Sequence, residues 1–325
     1  MNAPNGTEQP VLLLTRRFPD AVMARAARDY RIIANEDDHP YSSDEIVGRA
    51  AGADALLVSA VDPVPGDVIR SLPDSVRMIA TFSVGTDHID LAAAKERGIA
   101  VSNTPGVLTD ATADIAFLLL LGAARRASEG ERLIREGRWE GWAPTQLVGV
   151  HVTGKRLAIL GMGRIGQAVA RRARGFDMEI HYHNRRRLPA GEEAGAIYHA
   201  DPEDLLPVAD FLSIHSPATA ETHHWLNAAR IARLPDRAVI VNTARGSLVD
   251  DEALIAALRS GRLAAAGLDV FENEPRLHQG YTTLPNTFLL PHLGSATDQT
   301  REAMGFTALD NLDAFFAGRE PPNRV

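Results

Sequence analysis

Four short segments of this chain hold residues whose types and spacing could do chemistry. The first is Gly161-Met162-Gly163-Arg164-Ile165-Gly166, which fits G-x-G-x-x-G. Alone the pattern is weak. Here it follows an apolar run at residues 156–160 and opens a helical pattern at residues 165–176, the context a dinucleotide-binding turn requires. In that setting Gly161 makes the tight turn, Gly163 lets the backbone approach a pyrophosphate, and Gly166 lets helix and strand pack closely. Free N–H groups and the helix dipole then hold the anion.

The residues that would meet the ribose point to one form of such a ligand. An NAD site places Asp or Glu about 20 residues after the turn, on the ribose 2′-OH. Here the next strand runs into Tyr182-His183-Asn184-Arg185-Arg186-Arg187, with no acid. Three arginines stand where an acid would repel a 2′-phosphate and cations would bind it. The pattern predicts a preference for NADPH, with NADH possible. The plainer alternative is a solvated basic loop.

The other three segments each lie at or just beyond the end of an apolar run. They are Asn242-Thr243-Ala244-Arg245-Gly246, Gly267-Leu268-Asp269-Val270-Phe271-Glu272-Asn273-Glu274-Pro275, and Pro291-His292-Leu293-Gly294-Ser295-Ala296. In an open parallel sheet, ligands bind at the carboxyl ends of the strands. Arg245 offers a planar fork that can take a carboxylate and polarise a ketone. His292 can give a proton to a developing alkoxide. Glu274 beside it would favour the imidazolium. Together they fit hydride reduction of a 2-oxo acid. Singly, each has a duller reading: a surface ion-pair partner, a loop histidine, a turn before proline.

These segments need a scaffold that brings strand ends together. Apolar runs at residues 11–15, 30–34, 55–58, 77–81, 156–160, 179–182, 211–214, 238–242, 264–268 and 288–290 read as strands. Amphipathic stretches at residues 21–29, 43–51, 165–176 and 297–317 read as helices between them. Such alternation predicts parallel sheets covered on both faces, in two α/β blocks. Residues 109–126 form a helical stretch that is apolar almost all round, which predicts burial between layers. Residues 128–136 read as a shorter polar helix. Asp87 and Asp90 read as helix caps.

Bulk properties close off other classes. The chain has 325 residues, 45 % of them apolar and 23 % charged, enough for two domains of about 150 residues each. Thirty-four Lys and Arg against 42 Asp and Glu give a net charge of −8, a poor match to non-specific nucleic-acid binding. With no cysteine, disulfides, thiolate metal sites and cysteine nucleophiles are excluded. No apolar run approaches the roughly 20 residues of a membrane span, and residues 1–10 lack a signal-like apolar stretch. They read as a frayed lead-in, and the chain reads as cytoplasmic. No metal site is expected: adjacent His223 and His224 should point in different directions, and no H-E-x-x-H motif accompanies them.

Taken in order along the chain, the segments resemble the D-isomer-specific 2-hydroxyacid dehydrogenases, most closely the glyoxylate/hydroxypyruvate reductase branch. The resemblance also rests on Phe82-Ser83-Val84-Gly85-Thr86-Asp87-His88-Ile89-Asp90 and Asn103-Thr104-Pro105-Gly106, and it spans nearly the whole chain. It implies two Rossmann-like, doubly wound parallel-sheet domains with a cleft between them. The substrate domain would be discontinuous, residues 1–104 plus 293–325, and the dinucleotide-binding domain residues 105–292.

The same resemblance assigns Arg245, Glu274 and His292 as the catalytic set. It implies that Val84 and Gly85 N–H groups take the substrate carboxylate, with Arg245 bridging carboxylate and ketone and Ser295 close by. The cofactor would meet Gly163, Arg164, Ile165, Asn184, Arg185, Arg186, His215, Pro217, Thr243, Ala244, Asp269 and Gly294. It further implies a homodimer in which Trp142 reaches the neighbour's site, or serves as a plain interface aromatic.

The expected activity is thus NADPH-preferring reduction of glyoxylate and hydroxypyruvate. A larger substrate of phenylpyruvate or lactate type remains an alternative. So does a nicotinamide-sensing, corepressor-like binding protein, although the chain's end at Val325 soon after its last helical stretch weighs against added docking segments.

Overall fold

The computed structural model describes residues 9–325. The expected frayed lead-in therefore lies, for residues 1–8, outside the described residues. The chain divides into two compact units. One holds the residues up to Leu108 together with Ala296–Val325, and the other is Thr109–Ser295. The junctions thus fall at 108/109 and 295/296, a few residues beyond the expected 104/105 and 292/293.

The first unit is built on a five-stranded, wholly parallel sheet. Its strands are β1 (Val11–Leu14), β2 (Arg31–Ile33), β3 (Ala55–Ser59), β4 (Met78–Phe82) and β5 (Ala100–Ser102), in the order β2-β1-β3-β4-β5. The runs at β1 and β3 read as continuously apolar because both faces are buried. Successive side chains go to opposite sides. Leu13, Leu56 and Val58 pack with Ile46, Ile69 and Ile89 on one face. Leu12, Leu14 and Leu57 pack with Val22, Leu309 and Leu312 on the other. The last helix, Asp298–Phe316, thus belongs to this unit's core, next to helix Asp20–Asp29.

Local signals explain most boundaries. Asp90 caps helix Leu91–Glu96 by accepting from Ala93 N–H at 3.0 Å. Helix Ser43–Arg49 is capped by Ser42. Ser42 Oγ accepts from Glu45 N–H, and the Glu45 carboxylate takes Ser42 N–H at 2.8 Å. That reciprocal box is worth about 1 kcal/mol.

The second unit carries seven parallel strands: β6 (Arg156–Leu160), β7 (Glu179–His183), β8 (Ile197–Tyr198), β9 (Phe211–Ile214), β10 (Ala238–Asn242), β11 (Leu263–Leu268) and β12 (Thr287–Leu289). Their order is β12-β11-β10-β9-β6-β7-β8. The chain winds outward from β6 through β7 to β8, then returns to place β9 on the other side of β6. The switch point of this doubly wound sheet is therefore between β6 and β9. Helices Thr109–Ala124 and Arg164–Arg174 cover one face, with Leu119, Leu120 and Val169 against Leu157, Ile159 and Val241. Helix Asp251–Arg259 covers the other, with Leu254 and Leu258 against Leu212 and Ile240.

The expectation that the 109–126 stretch is buried all round needs correction. Asp114, Leu118 and Arg125 form an exposed stripe along it, and Leu118 is 46 % exposed. The helix packs against β10, β11, β12 and helices Ala127–Arg135 and Arg164–Arg174, which leaves that stripe uncovered among the described residues. No helix among the described residues is long and apolar enough to cross a membrane.

Candidate active site

Strand register lines up the residues singled out from sequence. Leu160 of β6 pairs with His183 and Ile214, Asn242 pairs with Ile214 and Leu268, and Leu268 pairs with Leu289. The residues one step beyond these paired ends therefore form a row along the carboxyl edge. In sheet order they are Leu290, Asp269, Thr243, His215, Gly161 and Asn184. Five of these six were expected cofactor contacts.

The phosphate turn sits at the switch point. Gly161 has φ +96, and a Cβ there would come within 2.7 Å of the His215 and Ser216 backbone. Only glycine permits the turn. At Gly166 a Cβ would meet Gly161 O at 2.4 Å, so this residue allows the helix to press against the turn. A Cβ on Gly163 would meet no atom within 4 Å, which leaves its backbone open to a ligand. Gly163 caps helix Arg164–Arg174, with exposed Arg164 and half-buried Ile165 in its first turn. Asn184 fixes the turn from the side, its Oδ1 accepting from Met162 N–H at 2.7 Å. These features fit a dinucleotide pyrophosphate.

The three arginines are not equivalent. Arg187 is tied to buried Glu193 at 2.8 and 3.0 Å and lies over the Tyr198 ring. Arg185 and Arg186 are exposed. His215 shares its Nε2 with Ser213 Oγ at 2.8 Å, and its Nδ1 lies 3.4 Å from Thr243 Oγ1. Burial pushes its pKa down to about 4, which keeps the ring neutral at physiological pH. Pro217 follows in the same turn, where its carbonyl accepts from Thr222 Oγ1 at 2.8 Å.

Within the second unit the catalytic candidates converge. His292 Nδ1 lies 2.8 Å from Glu274 Oε2, and Glu274 Oε1 accepts from Phe271 N–H at 2.8 Å. Burial opposes ionisation of Glu274. The hydrogen bond and charge of His292, the Phe271 N–H and the charge of Arg245 outweigh it and hold the carboxyl below its usual range. His292 Nε2 has no partner among the described residues, so it is the atom open to a reactant. Arg245 follows β10 in extended conformation, its Nη1 on Ala244 O at 2.8 Å.

Three residues that sequence reasoning did not credit with this work position the loops. Buried Asn242 shapes the turn before Arg245, accepting from Ala244 N–H at 2.9 Å and donating to Arg245 O at 2.8 Å. Gly246 lets two loops touch, since a Cβ there would fall 1.8 Å from the Phe271 carbonyl carbon. Asp269, expected only as a cofactor contact, turns its 1 %-exposed carboxylate to Leu293 and Gly294 N–H at 2.6 and 2.8 Å. Burial raises its pKa, against those two N–H groups and the charge of His292. Asp269 O also takes His292 N–H at 2.9 Å, and His292 itself is left-handed at φ +55. Ser295 follows this clamp, half-buried, as the last residue of the unit.

The first unit supplies its own donors. In the loop after β4, Ser83 Oγ donates to Gly85 O at 2.6 Å and Asn103 Nδ2 to Val84 O at 2.8 Å. With both carbonyls held, the Val84 and Gly85 N–H groups have no acceptor among the described residues. Two neighbouring N–H groups of this kind suit a carboxylate. Trp142 is 81 % exposed.

One sequence expectation is overturned outright. His223 and His224 do not point apart. Their rings stack with centroids 4.0 Å apart, because His224 adopts a left-handed conformation at φ +47 that breaks the alternation of an extended strand.

Known proteins give the context. Residues 117–294 match the family model described as D-isomer specific 2-hydroxyacid dehydrogenase, NAD binding domain. The chain is 49 % identical to the glycerate dehydrogenase of Hyphomicrobium methylovorum over 311 residues, 95 % of this chain and 97 % of that protein. It is 42 % identical to the glyoxylate reductase of Thermococcus litoralis over 321 residues, 98 % of this chain and 97 % of that one. Among solved structures, it superposes on an NADPH-dependent glyoxylate/hydroxypyruvate reductase of Sinorhizobium meliloti in complex with NADP and malonate. The TM-score is 0.88 at 34 % identity, with 98 % of this chain and 97 % of that one covered.

Proposed function

The chain belongs to the D-isomer specific 2-hydroxyacid dehydrogenases, and on that premise we propose that it reduces glyoxylate and hydroxypyruvate to D-2-hydroxy acids, with NADPH preferred over NADH. The observation that carries this reading is the His292–Glu274 pair at 2.8 Å, beyond the ends of β11 and β12.

A reduced nicotinamide would supply hydride to the ketone carbon. The chain's own residues do the rest. Gly161, Gly163, Gly166 and the N–H groups of Arg164 and Ile165 would hold the pyrophosphate. Asn184, Arg185 and Arg186 would meet the ribose 2′-phosphate, and His215, Pro217, Thr243, Ala244, Asp269 and Gly294 would line the remaining length. Val84 and Gly85 N–H offer donors to the substrate carboxylate. Arg245 polarises the ketone oxygen, and Ser295 adds a hydroxyl to the substrate's surroundings. His292 Nε2 gives the proton to the oxygen as its charge develops, while Glu274 holds the ring by Nδ1 and stabilises its charged form.

The setting we assign is a cytoplasmic homodimer. Supporting it, Leu118, Ile134, Trp139, Trp142 and Val148 are all exposed apolar residues of one segment of the chain, side chains that a partner's surface would cover. Trp142 would then serve the partner's site.

Absorbance at the reduced-nicotinamide band tests the activity, with glyoxylate, hydroxypyruvate, pyruvate and phenylpyruvate each offered against NADPH and NADH. Rapid NADPH oxidation with the first two is the expected result. Turnover of phenylpyruvate alone would keep the chemistry and refute the small-substrate assignment. Cofactor binding without oxidation would refute both.

A further inference from the structure

A second group of side chains, outside the proton-donor pair, has the make-up of a metal site. His224 Nε2 lies 3.1 Å from Glu272 Oε2 and 3.2 Å from Oε1. His223 Nε2 lies 3.5 Å from Oε1. One donor atom from each of the three residues lies within 4.8 Å of the other two. Zinc binds imidazole nitrogen and carboxylate oxygen at about 2.0–2.2 Å, so neighbouring corners of its tetrahedron stand about 3.3–3.6 Å apart. The imidazole–carboxylate separations are already close to that spacing, and the stacked rings, now 25° from parallel, would rotate for both nitrogen lone pairs to meet one ion.

The backbone segment that carries the two rings is itself held in place. His224 N–H donates to Ser247 O at 2.8 Å and Leu226 N–H to Leu248 O at 2.9 Å, while Trp225 between them is buried. The left-handed turn at His224 therefore sits on a fixed segment. His223 keeps 55 % of its side chain exposed, so it contributes little to the core.

The surroundings favour a cation. A cavity of about 250 Å³ adjoins the group, and His224 and Glu272 are part of its wall. Asp250, Asp251, Glu252 and Glu272 line it against the single guanidinium of Arg276. An acidic recess of this kind raises the local concentration of cations.

We propose that His223, His224 and Glu272 bind a divalent cation of the zinc class, with the fourth coordination position open to water. Two imidazoles and one carboxylate suit zinc better than magnesium or calcium, which favour all-oxygen sets. The ion would bridge the turn bearing His223 and His224 to the loop that carries both Glu272 and Glu274.

Calorimetric titration of the full chain with zinc chloride, in a buffer that does not bind metal, tests this. The wild-type protein should take up one Zn²⁺ per chain. His223→Ala and Glu272→Gln should each weaken that binding by roughly tenfold or more, at least the loss expected when a supporting residue of a metal site is removed. His199→Ala, in the separate His181–His199 pair on β7 and after β8, should leave it unchanged. Thermal unfolding of the exposed His223→Ala variant should match wild type, which separates lost ligation from lost folding. No uptake by the wild type would overturn the proposal. So would equal affinity in wild type and both variants, or loss only in His199→Ala.

Discussion

Glu274 faces His292 across 2.8 Å with one carboxylate oxygen, while the other holds the Phe271 N–H. The carboxylate is thus fixed from its own loop and fixes the ring in turn. It occupies Nδ1, so Nε2 is left to exchange a proton with a reactant. A histidine merely packed into a loop would need no such arrangement, and its left-handed backbone would be an unexplained cost of about 1–3 kcal/mol.

Replacing His292 by Gln should lower turnover by about 10²–10⁴, the usual contribution of a general acid. Cofactor binding, followed by quenching of tryptophan fluorescence, should persist. On the proposed mechanism the same ring serves both directions, so reduction and alcohol oxidation should slow together in the variant. Unchanged turnover would remove His292 from the mechanism.

Arg185 and Arg186 are exposed, whereas Arg187 is bound to Glu193. Changing Arg185 and Arg186 together to Ser should raise the KM for NADPH by about 10–100-fold, at about 1.5–3 kcal/mol per charged hydrogen bond. The KM for NADH should move less than about threefold, since it lacks the 2′-phosphate. Equal losses with both cofactors would show loop damage instead of a lost phosphate contact.

Gly246 should not tolerate a side chain. A Cβ there meets the backbone of Phe271 and Glu272 at 2.0 Å or less, and backbone cannot swing aside like a side-chain end. Gly246→Ala should cost about 1–3 kcal/mol or more, measured from urea unfolding. Turnover should drop as well, because the two strained loops carry Arg245 and Glu274. Wild-type stability and rate would mean that the loops are looser than their packing indicates.

His215 links stability to acid. Its folded pKa is pushed down to about 4 from an ordinary 6.5. Between those values the unfolded chain binds a proton that the folded chain refuses, so stability falls as pH drops from 6.5 toward 4. Above 6.5 both states are neutral and the effect is absent. Urea midpoints measured without cofactor should fall more steeply over that window in wild type than in His215→Gln. Parallel slopes would refute the assignment.

Several features could be read from the residues themselves. Runs such as 11–14, 157–160 and 238–241 in β1, β6 and β10 are apolar at every position because helices cover both faces. Motifs that follow them must then emerge at the carboxyl edge, which is why Gly161, Thr243 and Asp269 could be placed before their register was known, whereas His215 was expected there only from the family resemblance. Strand β8 escaped notice because two residues show no usable period, and β5, three residues ending in Ser102, runs straight into the 103–106 loop. The stacking of His223 on His224 depends on one left-handed residue, and Asp269's grip on the 293–294 backbone depends on a loop returning beside its strand. Neither leaves a trace in residue spacing.

The loop bearing Arg185 and Arg186 is anchored on both sides, by Asn184 on Met162 and by Arg187 on Glu193, which also takes the Tyr182 hydroxyl at 2.6 Å. The two positions between these anchors can therefore drift in evolution without loosening the sheet or the proton-donor loop. On the proposed assignment, cofactor choice becomes a separable trait, open to change by one or two codon substitutions while the chemistry stays fixed. Engineers who want an enzyme driven by the other nicotinamide pool should vary positions 185 and 186 and leave both anchors untouched.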